Sequence, residues 1–86
     1  MPTDVPAQRI WEAALGRLQL AVPRPSFDTW LRDTEGVALG ENTLAVRVPT
    51  AFTAAWLEQR LHGLIEDTVS TVAREQVSVS FHVHGA

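Results

Sequence analysis

The chain has 86 residues, 45% of them hydrophobic and 20% charged, which describes one small globular domain built on a single core. It contains no cysteine, so a disulfide framework and a thiolate metal site are both excluded. The formal charge is −3 and all seven basic residues are arginines scattered along the chain, which argues against strong autonomous binding of DNA or RNA.

Residues 1–5 read as a short tail, and the domain itself is expected over 6–83, followed by a second tail at 84–86. Thr3 and Asp4 offer cap oxygens, and Pro6 is tolerated in a first helical turn. Ile10, Trp11, Ala14, Leu15, Leu18 and Val22 then recur at helical spacing and predict an amphipathic first helix. Pro23 and Pro25 end it, since proline cannot donate to the helical ladder and restrains the residue before it. Ser26 stands where an N-cap belongs, with Asp28 in the next turn. Phe27, Trp30 and Leu31, at i, i+3 and i+4, make the segment Phe27–Arg32 a short second helix.

Val37 and Leu39 begin a hairpin that turns at Gly40-Glu41-Asn42. Leu44, Val46 and Val48 alternate with Ala45 and Arg47 in the period of a half-buried strand. Pro49 stops that strand, and Thr50 caps the next helix. There Phe52, Trp56, Leu57, Leu61, Leu64, Ile65, Val69 and Val72 form a nearly unbroken apolar stripe. Run to Arg74, this single helix would be roughly 36 Å long, spanning the domain and stopping near Val72. Gln76–Val83 alternates Val77, Val79, Phe81 and Val83 against polar residues and reads as a third strand. The result is an α+β arrangement in the order α-α-β-β-α-β, with a right-handed crossover if the third strand lies parallel to the second.

Motifs that carry chemistry are missing from the sequence. There is no G-x-S-x-G and no H-E-x-x-H, and with no lysine in the chain there is no phosphate-cradling loop ending in lysine. The expectation is a protein that is not an enzyme and needs no cofactor. His82 and His84 share one face of a strand and can reach a common ion, but near a terminus they read as solvated histidines, and His62 is remote from them in sequence. Glu66 and Asp67, like Glu12 and Glu58, fall opposite the apolar stripes and read as solvated charge. No apolar run reaches the ~20 residues of a membrane helix, and the N-terminus lacks the form of a signal peptide. A soluble cytoplasmic protein is expected.

The aromatic residues say more. Trp30 and Trp56 fall centrally on apolar faces and read as core. Trp11 opens the apolar face of the first helix and is either a core-edge residue or an exposed anchor. Phe52 occupies a corner in the first turn after Thr50, where a large aromatic is a typical interface anchor.

Trp11, Leu15, Leu18 and Pro23, followed by Ser26-Phe27-x-x-Trp30-Leu31, resemble in order and spacing the N-terminal domain of DnaA, the family of bacterial chromosomal replication initiators. So do Glu41-Asn42-Thr43-Leu44, then Val48-Pro49-Thr50-x-Phe52 with Trp56-Leu57, and the last strand ending Phe81-His82-Val83. The resemblance covers Ile10 to Val83. It implies a KH-like fold, with the helices on a small three-stranded sheet. It implies a protein–protein interaction domain that self-associates weakly, contacts the replicative helicase during loading and receives small regulatory proteins. In that family the domain precedes a linker, an ATPase module and a DNA-binding module. The self-association residues match Ile10, Trp11 and Ala14. The helicase contact matches Phe52, and the regulator surface falls near Thr50, Phe52 and Thr53, beside the second helix and Ser26. Some members carry an acidic residue where this chain has Ser26, and a proline where it has Asp33.

Two other readings keep the same elements. A KH-like module would clamp single strands through a G-x-x-G loop, but Gly36 and Gly40 have the wrong spacing and lie on a strand, leaving weak single-stranded DNA contact through Arg24, Arg32 and Arg47. The same domain can also serve as an adaptor in another replication or regulatory protein.

Overall fold

The structure is a computed structural model that describes residues 5–83. The first helix, α1 (Val5–Ala21), turns Ala7, Trp11, Ala14 and Leu18 inward on one stripe, continued by Val22 just beyond its end. That stripe packs on the first strand and on the last helix. Pro23, extended at φ −55° and ψ 142°, breaks the chain away from α1 as the proline pair predicts.

The next segment departs from a simple second α-helix. A single α-turn, α2 (Arg24–Ser26), runs straight into a π-helical segment, Phe27–Leu31, in which the Arg32 N–H donates to the Phe27 carbonyl at 3.1 Å. Ser26 is helical and makes no capping bond, so the N-cap expected there is absent and the helical turn begins earlier, after Pro23. A π-turn holds one residue more than an α-turn and is under-wound. Phe27 and Leu31 both stay buried, while Trp30 sits only half-buried at the side.

Strands β1 (Glu35–Gly40) and β2 (Thr43–Val48) pair antiparallel, and Gly40 faces Thr43 across the turn residues Glu41 and Asn42. Asn42 takes the left-handed conformation at φ 60°, which its short polar side chain tolerates better than most. A bulge between Gly36 and Ala38 shifts the register. It lets Gly36 face α1, where a Cβ would lie 2.5 Å from the Ala7 carbonyl oxygen and 2.8 Å from the Trp11 Cβ. Only glycine permits helix and strand to approach this closely.

The single long helix expected from the apolar stripe is in fact two, α3 (Ala51–Arg60) and α4 (His62–Ala73), separated at Leu61 with φ −123° and ψ 4°. A straight helix of roughly 36 Å would overrun a body measuring 32 × 30 × 19 Å. Gly63, just past the break, is a poor helix former, costing about 1 kcal/mol relative to alanine. The break lets α3 pack on the sheet and the π-segment while α4 packs on α1. Arg74, left-handed at φ 61°, closes α4 close to the stop expected near Val72.

The last strand, β3 (Ser78–Val83), is shorter than the expected Gln76–Val83 and pairs parallel with β2. The sheet order is β1-β2-β3. Leu44, Val46 and Val48 of β2 and Val79 of β3 are buried beneath the helices, joined by Val77 just before the strand. On the other face Arg47 pairs with Glu35 across the hairpin. The fold is therefore α+β in the order α-α-β-β-α-α-β, with helices on one side of a mixed sheet.

Candidate docking face

Among the residues expected to reach a partner, Phe52 is a large hydrophobic side chain standing in solvent. Thr50, extended at φ −143° and ψ 159°, caps α3 by accepting the Thr53 N–H on its Oγ1 at 3.0 Å. The cap sets the helix start so that Phe52 lies in its first turn and Trp56 one turn later. Phe52 is 71% exposed. Across from it the π-segment presents Trp30. The Trp30 and Trp56 rings stack with centroids 4.3 Å apart and planes 5° from parallel. Phe52 tilts against Trp30 at 5.5 Å and 56°. The three rings form a ladder from the edge of the core to solvent, and such offset or tilted contacts are the favourable ones for aromatic quadrupoles.

This arrangement refines the reading of Trp30 and Trp56 as core residues, since both pack against the core without being enclosed by it. Both are half-buried, and both rings belong to the aromatic ladder. An indole has an apolar body and a polar tip and suits that boundary. A signal for the ladder was present in the i, i+4 spacing of Phe52 and Trp56.

The other expected site residues divide differently. Trp11 is fully buried, and its Nε1–H donates to the Thr34 Oγ1 at 3.0 Å. Ala14 is fully buried one helical turn further on. Neither side chain presents a surface, so of the two readings open for Trp11 the structure selects the core one, with a satisfied hydrogen bond, over the exposed anchor. Of the three residues matched to self-association, Ile10 alone reaches the surface, half-exposed at the flank of α1. Thr53 is buried, its hydroxyl 3.0 Å from that of Thr50, and so supports the cap instead of facing outward. Thr50 itself is exposed and Ser26 is half-exposed on the π-segment side.

One polar expectation also changes. Glu66 is not simply solvated: its Oε2 accepts the Val79 N–H at 2.9 Å and lies 3.0 Å from His62 Nε2. His82 Nε2 lies 2.9 Å from the Ser80 hydroxyl, while His84 is outside the described residues. Among the described residues, no group of three His, Cys, Asp or Glu side chains is placed to hold a metal ion. No helix among them is long and apolar enough to cross a membrane.

Residues 8–71 match the DnaA N-terminal domain family. The chain is similar to the chromosomal replication initiator protein DnaA of Thermomicrobium roseum, with 36% identity over 78 residues. That alignment covers 91% of this chain and 17% of the relative, so the chain corresponds to a small part of that protein's length.

Proposed function

This chain belongs to the DnaA N-terminal domain family, the N-terminal domain of a replication initiator; from that premise we propose that it is a cytoplasmic protein-docking module, not an enzyme, whose principal contact face is the Trp56–Trp30–Phe52 ladder. The partner on this face is the replicative helicase, with small regulatory proteins docking on the adjoining surface around Thr50 and Ser26. The observation that carries the reading is a phenylalanine 71% exposed yet backed by a stacked tryptophan pair. An exposed aromatic side chain held by other rings loses little freedom when a partner covers it, which is the character of an interface anchor.

Weak self-association is a second part of the proposal. It uses the α1 flank around Ile10, not Trp11 or Ala14. Several tethered copies of a weakly binding domain gain strength through effective concentration, so no single contact needs to be tight.

An amide NMR titration with the replicative helicase of the same species tests the main claim, with single-stranded DNA titrated in parallel. Shifts gathered on Trp30, Phe52 and Trp56 with helicase support it. A silent helicase titration beside clear, salt-sensitive shifts with DNA would transfer the function to nucleic-acid binding.

A further inference from the structure

We infer that Thr34 is a positioning residue for the aromatic face, acting through a buried relay that runs from Trp11 in α1 to the end of the π-segment. Its functional meaning rests on the docking role proposed for that face, but its structural content does not.

The relay has two links. The Trp11 Nε1–H donates to the Thr34 Oγ1 at 3.0 Å, and the Thr34 hydroxyl donates in turn to the Leu31 carbonyl at 2.6 Å. The Thr34 backbone N–H also points to that carbonyl, at 3.3 Å. Leu31 is the last residue of the π-segment, and its carbonyl therefore receives two donors from Thr34. All three side chains are buried. Threonine suits the position because one hydroxyl can accept and donate at once, which neither valine nor alanine can do.

The consequence falls on Trp30. It precedes Leu31, and its place beside the core follows from the under-wound turn that keeps both Phe27 and Leu31 inward. A π-turn is an uncommon local geometry that needs support from its surroundings. The buried relay anchors its C-terminal end to the middle of the core, and the Arg32 N–H to Phe27 carbonyl bond closes the turn itself. Rewinding this segment to an α-turn would carry the Trp30 ring out of register with Trp56, which is now only 4.3 Å away. Phe52 leans on Trp30 and would lose its backing as well. Thr34 lies outside the aromatic face yet determines its geometry.

The test compares the wild-type domain with T34V and T34S, reading the tryptophan ring-proton shifts by NMR and the affinity for the replicative helicase of the same species. T34V removes both side-chain links at nearly constant shape, and T34S keeps the hydroxyl. For T34V the ring-current shifts of Trp30 and Trp56 move toward unstacked values and helicase affinity falls about tenfold, the scale at which losing an interface anchor registers. T34S restores both. A merely structural threonine would alter stability and the Trp11 indole N–H signal alone. A folded T34V whose Trp30 and Trp56 signals and helicase affinity match the wild type overturns the inference. Should T34V not fold, W11F breaks the same relay from its other end, and unchanged Trp30 and Trp56 shifts in that variant overturn it equally. If the wild-type domain does not bind helicase, the docking reading fails, while the ring shifts still decide whether Thr34 sets the stack.

Discussion

The Glu66 carboxylate accepts the backbone N–H of Val79 at 2.9 Å, so a side chain of α4 occupies a bonding position on the outer edge of β3. One turn along the helix, Ser70 does the same for Val77, accepting its N–H at 3.0 Å and donating to its carbonyl at 3.2 Å. Together they suture the edge of the sheet to the helix that covers it. Glu66→Ala is expected to cost about 1–3 kcal/mol in urea denaturation, the range for a lost hydrogen bond to a charged group or a stranded donor. Glu66→Gln, which keeps an acceptor oxygen, should cost less, and amide exchange at Val79 should separate the two variants.

Trp11→Ala removes a fully buried indole from the centre of the core. Substitutions of this kind cost about 3–5 kcal/mol, against a total stability of about 5–15 kcal/mol for an ordinary domain. Thermal denaturation should show a markedly lowered melting temperature. A W11A protein that melts like the wild type would place Trp11 at the surface after all.

Phe52→Ala has the opposite profile. The ring is mostly in solvent, so stability should change by about 0.5 kcal/mol or less, as for other surface substitutions. Affinity for helicase should fall by about 2 kcal/mol or more, as for a hot-spot aromatic. Isothermal titration beside a melting curve distinguishes the two effects. Equal affinity in wild type and variant would remove Phe52 from the interface.

Gly36→Ala places a methyl 2.5 Å from a backbone oxygen that cannot swing aside. Helix α1 and strand β1 must separate to admit it, and overpacking of this kind costs about 1–3 kcal/mol. A drop in denaturation midpoint with an unchanged slope is the expected signature.

Leu20 supplies the control. It is 91% exposed at the end of α1, on the rim of a hollow of about 280 Å³ shared with Gln19, Arg24, Phe27 and Asp28. Leu20→Gln should leave stability within about 0.5 kcal/mol and helicase binding unchanged. Weaker binding in L20Q would extend the docking face to this corner.

Much of this fold was legible in the sequence because the periodicities are strong. The α1 stripe and the alternation of Leu44, Val46 and Val48 report burial directly, and Pro23 reports where the first helix must end. The interruption at Leu61 was hidden because its apolar stripe continues across it, and a stripe records which positions face inward without recording that the helix axis bends. The π-turn was hidden for a related reason, since Phe27 and Leu31 at i and i+4 are compatible with either winding. At the site, Phe52 stood out by its place after a helix cap. Trp30 and Trp56 did not, because a half-buried indole and a core indole have the same pattern in one dimension. Trp11 was ambiguous until its N–H found Thr34, a partner 23 residues away.

The parallel pairing of β2 with β3 also leads to an expected order of events as the chain folds. The β1–β2 hairpin closes across Glu41 and Asn42 alone, whereas β3 can add only after residues 49–77 have looped back over the sheet. Closing a longer loop costs more entropy, and non-local pairings slow folding. Until then β2 offers an unpaired edge with Leu44, Val46 and Val48 on it, the kind of strand that recruits other chains. A chain lacking Ser78–Val83 is thus expected to be aggregation-prone, because the final strand is what occupies that edge of β2.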